Sequence, residues 1–437
     1  MIRIALFVAA LISLTGVARA AVDIQEVKSP GGITAWLVNE PSIPFVALEI
    51  RFRGGTSLDA PGKRGATNLM AALLEEGSAE LDSREFSARR EELAASFSYD
   101  AYRDAISISA RFLTENSDES VALLRASLVD PTFGEADVER VRGQVLSSLE
   151  RQAKDPDEIA QQTYNSLAFG DHPYGSNGDG TVESVTALTR DDIVDAHART
   201  MTRDRLYVSA VGDITAEQLA TLLDELLGDL PAEGAPFPEK ASPALDGGIT
   251  VVPYDTPQSV VNFGHSGIAR DDPDFFPAYL MMQVVGGGGY KSRLNEEVRV
   301  KRGLTYGIAS YLVPSDLASE VRGGVSTDNS RVAETVDVIK EQWQRLADEG
   351  LSEEELERVK TYLTGAYPLR FDGNARIASI LVGMQMDDLG LDYVNTRNAR
   401  VEAVTMEEIN AIIARLIDPE GLHFVVVGQP EGLPASN

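Results

Sequence analysis

Strand-like stretches recur at nearly the same spacing in the two halves of this chain, which restricts the fold more than any other feature. The first half opens with VALEIRFRGG from Val46 and closes with RLYVSAVGDIT, an apolar strand ending at Gly212 and followed by a helical run. The second opens with SVVNFGHSGIA and closes with LHFVVVGQPEG. Val46 to Tyr207 spans 161 positions (207 − 46), and Val261 to Phe424 spans 163 (424 − 261). Similar strands at matched spacing imply an internal duplication. The segment LPAEGAPFPEKASPALDGG, residues 230–248, is rich in Pro, Gly and Ala and reads as a linker between domains at 21–229 and 249–437.

The pattern inside each copy sets the fold class. Phe97–Asp100 and Ala105–Phe112 alternate apolar and polar residues around a turn, which predicts an antiparallel pair. ESVALLRASLV and ADVERVRGQVLSSLERQAKD carry helical apolar spacing, and Asp130-Pro131 ends the first of them. Further helices are expected at about 65–76 and 276–285. Strands followed by clusters of helices predict an α+β fold of two homologous domains. Each is a mainly antiparallel sheet with helices packed on one face.

Charge and composition exclude several functions. A formal net charge of −29 disfavours nucleic acid and anionic membranes as partners and leaves basic peptides as the favoured polyions. The same charge also reads simply as a solubilising surface. MIRIALFVAALISLTGVARA has a basic Arg3, an apolar run from Ile4 to Leu14 and the triplet Ala18-Arg19-Ala20, the pattern of a secretory signal cut near Ala20. Its apolar stretch is too short to span a bilayer, and no later stretch is long enough, so no membrane span is expected after cleavage. The chain is expected to be bacterial and periplasmic or secreted. With no cysteine, it brings neither disulfides nor thiol chemistry to that compartment.

Most candidate chemistry fails on spacing. His172, His197, His265 and His423 are scattered, with no pair at i, i+3 or i+4. His172, in GDHPYG, reads as structural. GHSGI around Ser266 is not a nucleophile elbow, and NGDGTVE around Asp179 lacks the spacing of a calcium loop. The glycines from Gly286 to Gly289 lack the P-loop pattern and read as a close-approach turn.

Two blocks remain: RGATNLMAALLEEGSAE around Gly65 and GGGGYKSRLNEEVRVKRGLTYG around Arg299. Both resemble the pitrilysin/insulinase family of zinc metallopeptidases, whose zinc helix carries His-x-x-Glu-His just after a short Gly-containing turn. With Gly65 and Gly77 set on the family's flanking glycines, Asn68 takes the first His position, Ala71 the Glu and Ala72 the second His. The third ligand, a Glu on a later helix, falls near Ser148. Glu150 lies close by, but two residues along a helix turn it to another face. Catalytic zinc needs about three protein ligands plus an open water position, and a base within hydrogen-bonding reach of that water. A methyl group cannot bind a cation, and a carboxamide is a poor zinc ligand. No metal site and no catalytic residue intrinsic to this chain are therefore expected.

The second block keeps what the first has lost. Arg299 and Tyr306 are separated by seven positions, and the resemblance implies that such a pair reaches from the C-terminal domain to hold substrate and stabilise an oxyanion. The chemistry suits that role, since guanidinium is a permanent donor fork and a phenol can donate to a developing negative oxygen. Without the resemblance, the two would read as a surface Arg and a half-buried strand Tyr. Family members with one domain pair form half of a clamshell and dimerise around a chamber. In some, one chain brings His-x-x-Glu-His and the other the Arg/Tyr pair. The resemblance thus implies a substrate-binding subunit of a heterodimeric peptidase, with zinc in a homologous partner and peptide as substrate. The alternative is an inactive homologue, possibly homodimeric, that serves as a peptide-binding or structural scaffold.

Overall fold

The computed structural model describes residues 23–287 and 291–433; the expected signal segment and two glycines of the Gly286–Gly289 run lie outside them. The N-terminal half contains β1 (Gln25–Lys28), β2 (Thr34–Asn39), β3 (Phe45–Arg53), helix α1 (Ala66–Leu73) and a small hairpin, β4 (Gly77–Ser78) and β5 (Leu81–Asp82). Helix α2 (Ser83–Glu92), β6 (Ser96–Ala101) and β7 (Ala105–Leu113) follow. Then come α3 (Ser117–Val129), α4 (Glu135–Gln152), α5 (Pro156–Phe169), α6 (Val182–Ala187), α7 (Arg190–Thr200), β8 (Leu206–Gly212) and α8 (Ala216–Leu227). Starts are set locally: Thr189 and Thr215 close capping boxes on α7 and α8, and Asp155 with Pro156 opens α5.

The C-terminal half repeats the plan. It comprises β9 (Gly248–Pro253), β10 (Gln258–Ser266), α9 (Phe275–Met282), β11 (Ile308–Pro314) and β12 (Ser319–Asp328). Helices α10 (Val332–Glu349), α11 (Glu353–Ala366), α12 (Asn374–Met386), α13 (Tyr393–Ala403) and α14 (Met406–Leu416) precede β13 (His423–Gly428). The first sheet runs β1-β2-β8-β3-β7-β6 and the second β11-β12-β10-β13-β9. Read from opposite ends, the two agree strand for strand once β1 is set aside. In each, the opening long strand pairs antiparallel with both neighbours, and one parallel pair, β2 with β8 or β9 with β13, lies beyond it. The duplication read from spacing is thus a duplication of topology.

Alternation along the strands sorts their residues into separate cores. Val46, Leu48, Ile50 and Phe52 of β3 face the helices of their own half. Val261 and Phe263 of β10, with Phe424 and Val426 of β13, do the same in the second half. The opposite faces are apolar too, and each is covered by a helix from the other half. Helix α12 lies on β8 and β3, where Ala378, Leu381 and Met384 pack with Trp36, Ala47 and Val211. Ser209 Oγ donates to Ala378 O at 2.7 Å, and Gln385 Nε2 to Val208 O at 2.8 Å. In return α5 lies on β10 and β13, packing Ala160, Tyr164 and Ala168 with Val260, Val425 and Val427. Gly264 makes room for that helix, since a Cβ there would sit 2.4 Å from the Tyr164 hydroxyl oxygen.

Residues 230–247 carry no regular structure but are fastened to both halves. Arg205 donates to Ala235 O at 2.8 Å and Ala244 N to Ala168 O at 2.8 Å, while Ala241 N reaches Leu317 O at 2.8 Å. Among the described residues, no helix is long and apolar enough to cross a membrane.

Candidate functional site

The turn that introduces α1 is tightly specified. Gly65 adopts φ +93°, and a Cβ there would lie 2.5 Å from Asp179 O, so both conformation and space call for glycine. The Asp59 carboxylate accepts from Gly65 N at 2.9 Å and Thr67 N at 2.8 Å, tying down the first turn. Its charge is opposed by burial, which pushes its pKa up, while Thr67 and Arg64 pull the other way. Arg64 lies 3.4 Å from Asp59 and donates to Pro173 O at 3.0 Å.

On that helix Asn68 is half-buried and Ala72 exposed, sharing the face that i and i+4 spacing gives, while Ala71 points into the core at 2% exposure. Helix α1 packs against α4, which carries half-buried Ser148, and Arg140 of α4 donates to Glu76 at 3.1 Å just past the end of α1. The fold therefore brings together the two helices that a three-ligand site would need. The donors they present are a carboxamide, a methyl group and a hydroxyl, which do not fit a zinc ion. Among the described residues, no group of three or more His, Cys, Asp or Glu could hold a metal ion. Strand β6 lies beside α1 at the edge of its sheet, where, among the described residues, one side of its backbone has no strand partner.

The Arg/Tyr block lies in the other half. Arg299 is half-buried on a single wide helical turn, Asn295–Val300. Asn295 anchors that turn by donating to Ile308 O at 2.9 Å, and Arg293 ahead of it bonds Glu355 at 2.7 Å. Burial opposes the charge of Glu355, but the Arg293 fork and Ser352 outweigh it and hold the pKa at about 2. Tyr306 is 90% exposed, on a loop that is itself well held. Leu304 is buried, Thr305 Oγ1 donates to Ser326 O at 2.8 Å, and Ile308 begins β11. Two neighbours in sequence, Val300 and Tyr311, are also exposed apolar side chains. The half-buried strand Tyr, the reading made without the resemblance, does not fit this ring, which is held out in solvent.

The histidines are structural. Nε2 of buried His265 accepts from Trp343 Nε1 at 3.1 Å while Nδ1 meets Ser266 O at 2.7 Å, and burial lowers its pKa. His197 bonds Leu128 O at 2.8 Å, His172 caps Tyr174 N at 3.2 Å, and His423 bonds Gly247 O at 2.6 Å. Asp179 belongs to a turn held by Gln152 and Asn177. Gly286 is the close approach expected of its run, since a Cβ would lie 2.4 Å from Ser310 N.

A duplicated pair of α+β domains with a zinc-helix scaffold and no zinc donors defines an inactive peptidase homologue. Residues 34–181 match the domain Insulinase (Peptidase family M16), and residues 187–363 match the Peptidase M16 inactive domain. The chain belongs to this M16 family. The non-peptidase homolog YmxG of Helicobacter pylori is 28% identical over 386 residues, covering 88% of this chain and 89% of its own. Uncharacterized zinc protease ML0855 of Mycobacterium leprae is 24% identical over 398 residues, covering 89% and 88%. The crystal structure of a peptidase M16 inactive domain from Pseudomonas fluorescens superposes with a TM-score of 0.87 at 26% identity, covering 95% of this chain and 100% of that one. A protease from Helicobacter pylori shares the fold, with a TM-score of 0.83 at 15% identity over 93% and 99%.

Proposed function

We propose that this chain is the non-catalytic, peptide-binding subunit of an exported, heterodimeric zinc metallopeptidase. Its partner is a homologous chain with intact His-x-x-Glu-His that brings the zinc, and the two chains close as halves of a clamshell. The observation that carries this reading is Tyr306, an aromatic side chain 90% exposed, seven positions after Arg299, on a loop anchored at both ends. A tyrosine held out on a fixed loop offers a ligand or partner an apolar ring with a polar hydroxyl tip. The free edge of β6 offers a complementary feature, since an extended peptide can add to it as a further strand. In this reading Arg299 and Tyr306 hold the carbonyl of a peptide, and the residues at positions 68, 71, 72 and 148 are relics of the scaffold.

The test is a native pull-down of the tagged mature chain from its own exported fraction, with co-purifying chains identified by mass. Recovery of a His-x-x-Glu-His homologue in equal amount supports the split peptidase; recovery of the bait alone removes it. A second reading, a peptide-binding or structural scaffold that self-associates, is favoured by similarity to a protein named as a non-peptidase homolog. It would hold if only the bait were recovered and that bait ran as a dimer.

A further inference from the structure

A cavity of about 570 Å³ opens in the C-terminal half between α9, α12, α13 and the turn that joins α11 to α12. None of its lining residues belongs to the Gly65 or Arg299 block, and the proposed peptidase role does not use it. The volume lies within the roughly 300–1,000 Å³ of small-molecule sites. Its charge contrasts with the rest of the chain. Four arginines line it, Arg270, Arg370, Arg376 and Arg397, against one carboxylate, Asp387, in a protein whose formal net charge is −29.

These arginines fall into two pairs with different work. Arg270 and Arg397 are built into the wall. Arg270 lies 3.3 Å from Asp387, donates to the Tyr393 hydroxyl at 3.0 Å and stacks 4.3 Å from the Phe275 ring centre. Arg397 is buried, donates to Leu363 O at 3.0 Å and stacks 4.4 Å from the Tyr367 ring. Asp387 is thus already matched by Arg270. Arg370 and Arg376 stand at the mouth and are exposed. Arg376 Nε donates to Arg370 O at 3.2 Å, which fixes its stem. Among the described residues, the Arg370 guanidinium and the terminal nitrogens of Arg376 have no protein acceptor. Both residues line the same cavity, so an anion at its mouth can accept hydrogen bonds from either fork.

The interior is aromatic. Phe275 and Tyr279 stack nearly parallel, 7° apart with ring centres at 6.2 Å, and Phe276, Tyr367 and Tyr393 complete the lining. We infer that this cavity is a receptor for a small organic anion, with its headgroup on Arg370 and Arg376 and its planar, apolar body among the rings. Either a carboxylate or a phosphate headgroup satisfies paired guanidinium forks bidentately. The inference stands apart from the peptidase-subunit reading, since neither Arg299 nor Tyr306 takes part.

Titration calorimetry on the full mature chain tests it with four probes: N-acetylphenylalanine, its uncharged amide, phenyl phosphate and acetate. The expected result is saturable binding of an aromatic anion, with the amide and acetate weaker by at least about tenfold. The Arg370→Gln/Arg376→Gln variant, altered only at exposed side chains, should lose roughly 10- to 100-fold in affinity with an unchanged melting curve. Tighter binding of N-acetylphenylalanine assigns a carboxylate headgroup, and tighter binding of phenyl phosphate assigns a phosphate. Equal binding of the amide, no binding of either aromatic anion, or full affinity in the folded double variant would overturn the proposal.

Discussion

Asp316 lies on the turn between β11 and β12, where the two halves meet, and burial pushes its carboxyl up to about 6 from an ordinary 3.8. Arg53, 3.4 Å away, pulls the other way, while Asp104, Asp387 and Asp388 add to the rise. Asp104 is itself raised by burial; it accepts from Asp316 N at 3.4 Å and from the Tyr174 hydroxyl, whose oxygen accepts from Leu317 N at 3.0 Å. A carboxyl that holds its proton more tightly when folded favours the native state at low pH. That contribution is full below about 3.8 and is lost as the pH rises through about 6. The gap corresponds to ~3 kcal/mol at ~1.36 kcal/mol per pH unit. Because 33% of the side chain stays exposed, solvent screening reduces the figure to about 1–2 kcal/mol. Asp316→Asn, which mimics the protonated form, should therefore stabilise the protein by about 1–2 kcal/mol near pH 8 and change little near pH 4. Urea unfolding of parent and variant at both pH values reads this, because carboxylates that do not interact with Asp316 cancel in the difference. A variant less stable than its parent near pH 8 would refute the reasoning, and would mean that the Arg53–Asp316 pair outweighs its own desolvation.

Other expectations follow from the same geometry. If this chain is the subunit proposed above, Arg299→Ala or Tyr306→Phe should lower kcat of the two-chain enzyme by ~10²–10³, with Tyr306→Phe leaving the melting temperature of this subunit unchanged; unchanged turnover by a stable double variant would remove their role. Gly264→Ala should destabilise the chain by several kcal/mol, about the scale of overpacking and more, because the new methyl meets Val321 O at 2.2 Å as well as Tyr164; a melt within a degree of the parent would contradict that packing. Installing donors with Asn68→His, Ala72→His and Ser148→Glu should let the chain retain zinc through gel filtration, since α1 and α4 already pack together. Metal analysis showing no more zinc than in the parent would mean that the scaffold has drifted from a ligand-holding geometry.

Much of this was legible in the residues, for identifiable reasons. Strong alternation in β3 and β7, and apolar runs ending in glycine at β8 and β13, placed the central strands and their duplication. At positions 68, 71 and 72 residue type alone limits the chemistry, since no packing makes Ala72 a metal donor. What escaped was the exchange of α5 and α12 between the halves. The signal existed in FVVVG of β13, where consecutive apolar residues imply burial on both faces, but a continuous run does not say which segment covers the second face. The arginine-lined cavity escaped for a related reason. Arg270, Arg370, Arg376 and Arg397 span 127 positions (397 − 270), and only the tertiary fold brings them to one wall.

The exchanged helices also bear on how a chamber could open and close. If the linker at 230–248 were a hinge, the halves would swing apart and strip α12 from β8 and β3, and α5 from β10 and β13. That would expose Trp36, Ala47 and Val211 on one side and Val260, Val425 and Val427 on the other. Burying each large apolar side chain contributes about 1.5–3 kcal/mol, so the exchange locks the pair together by many times thermal energy. Opening within one chain at the linker is therefore costly. Residues 23–229 expressed alone should accordingly expose the face that α12 covers and aggregate, whereas co-expression with residues 230–433 should yield a soluble complex of the two fragments. A monomeric, cooperatively melting N-terminal fragment would show that α12 adds little to that sheet, and hinging at the linker would then be energetically open.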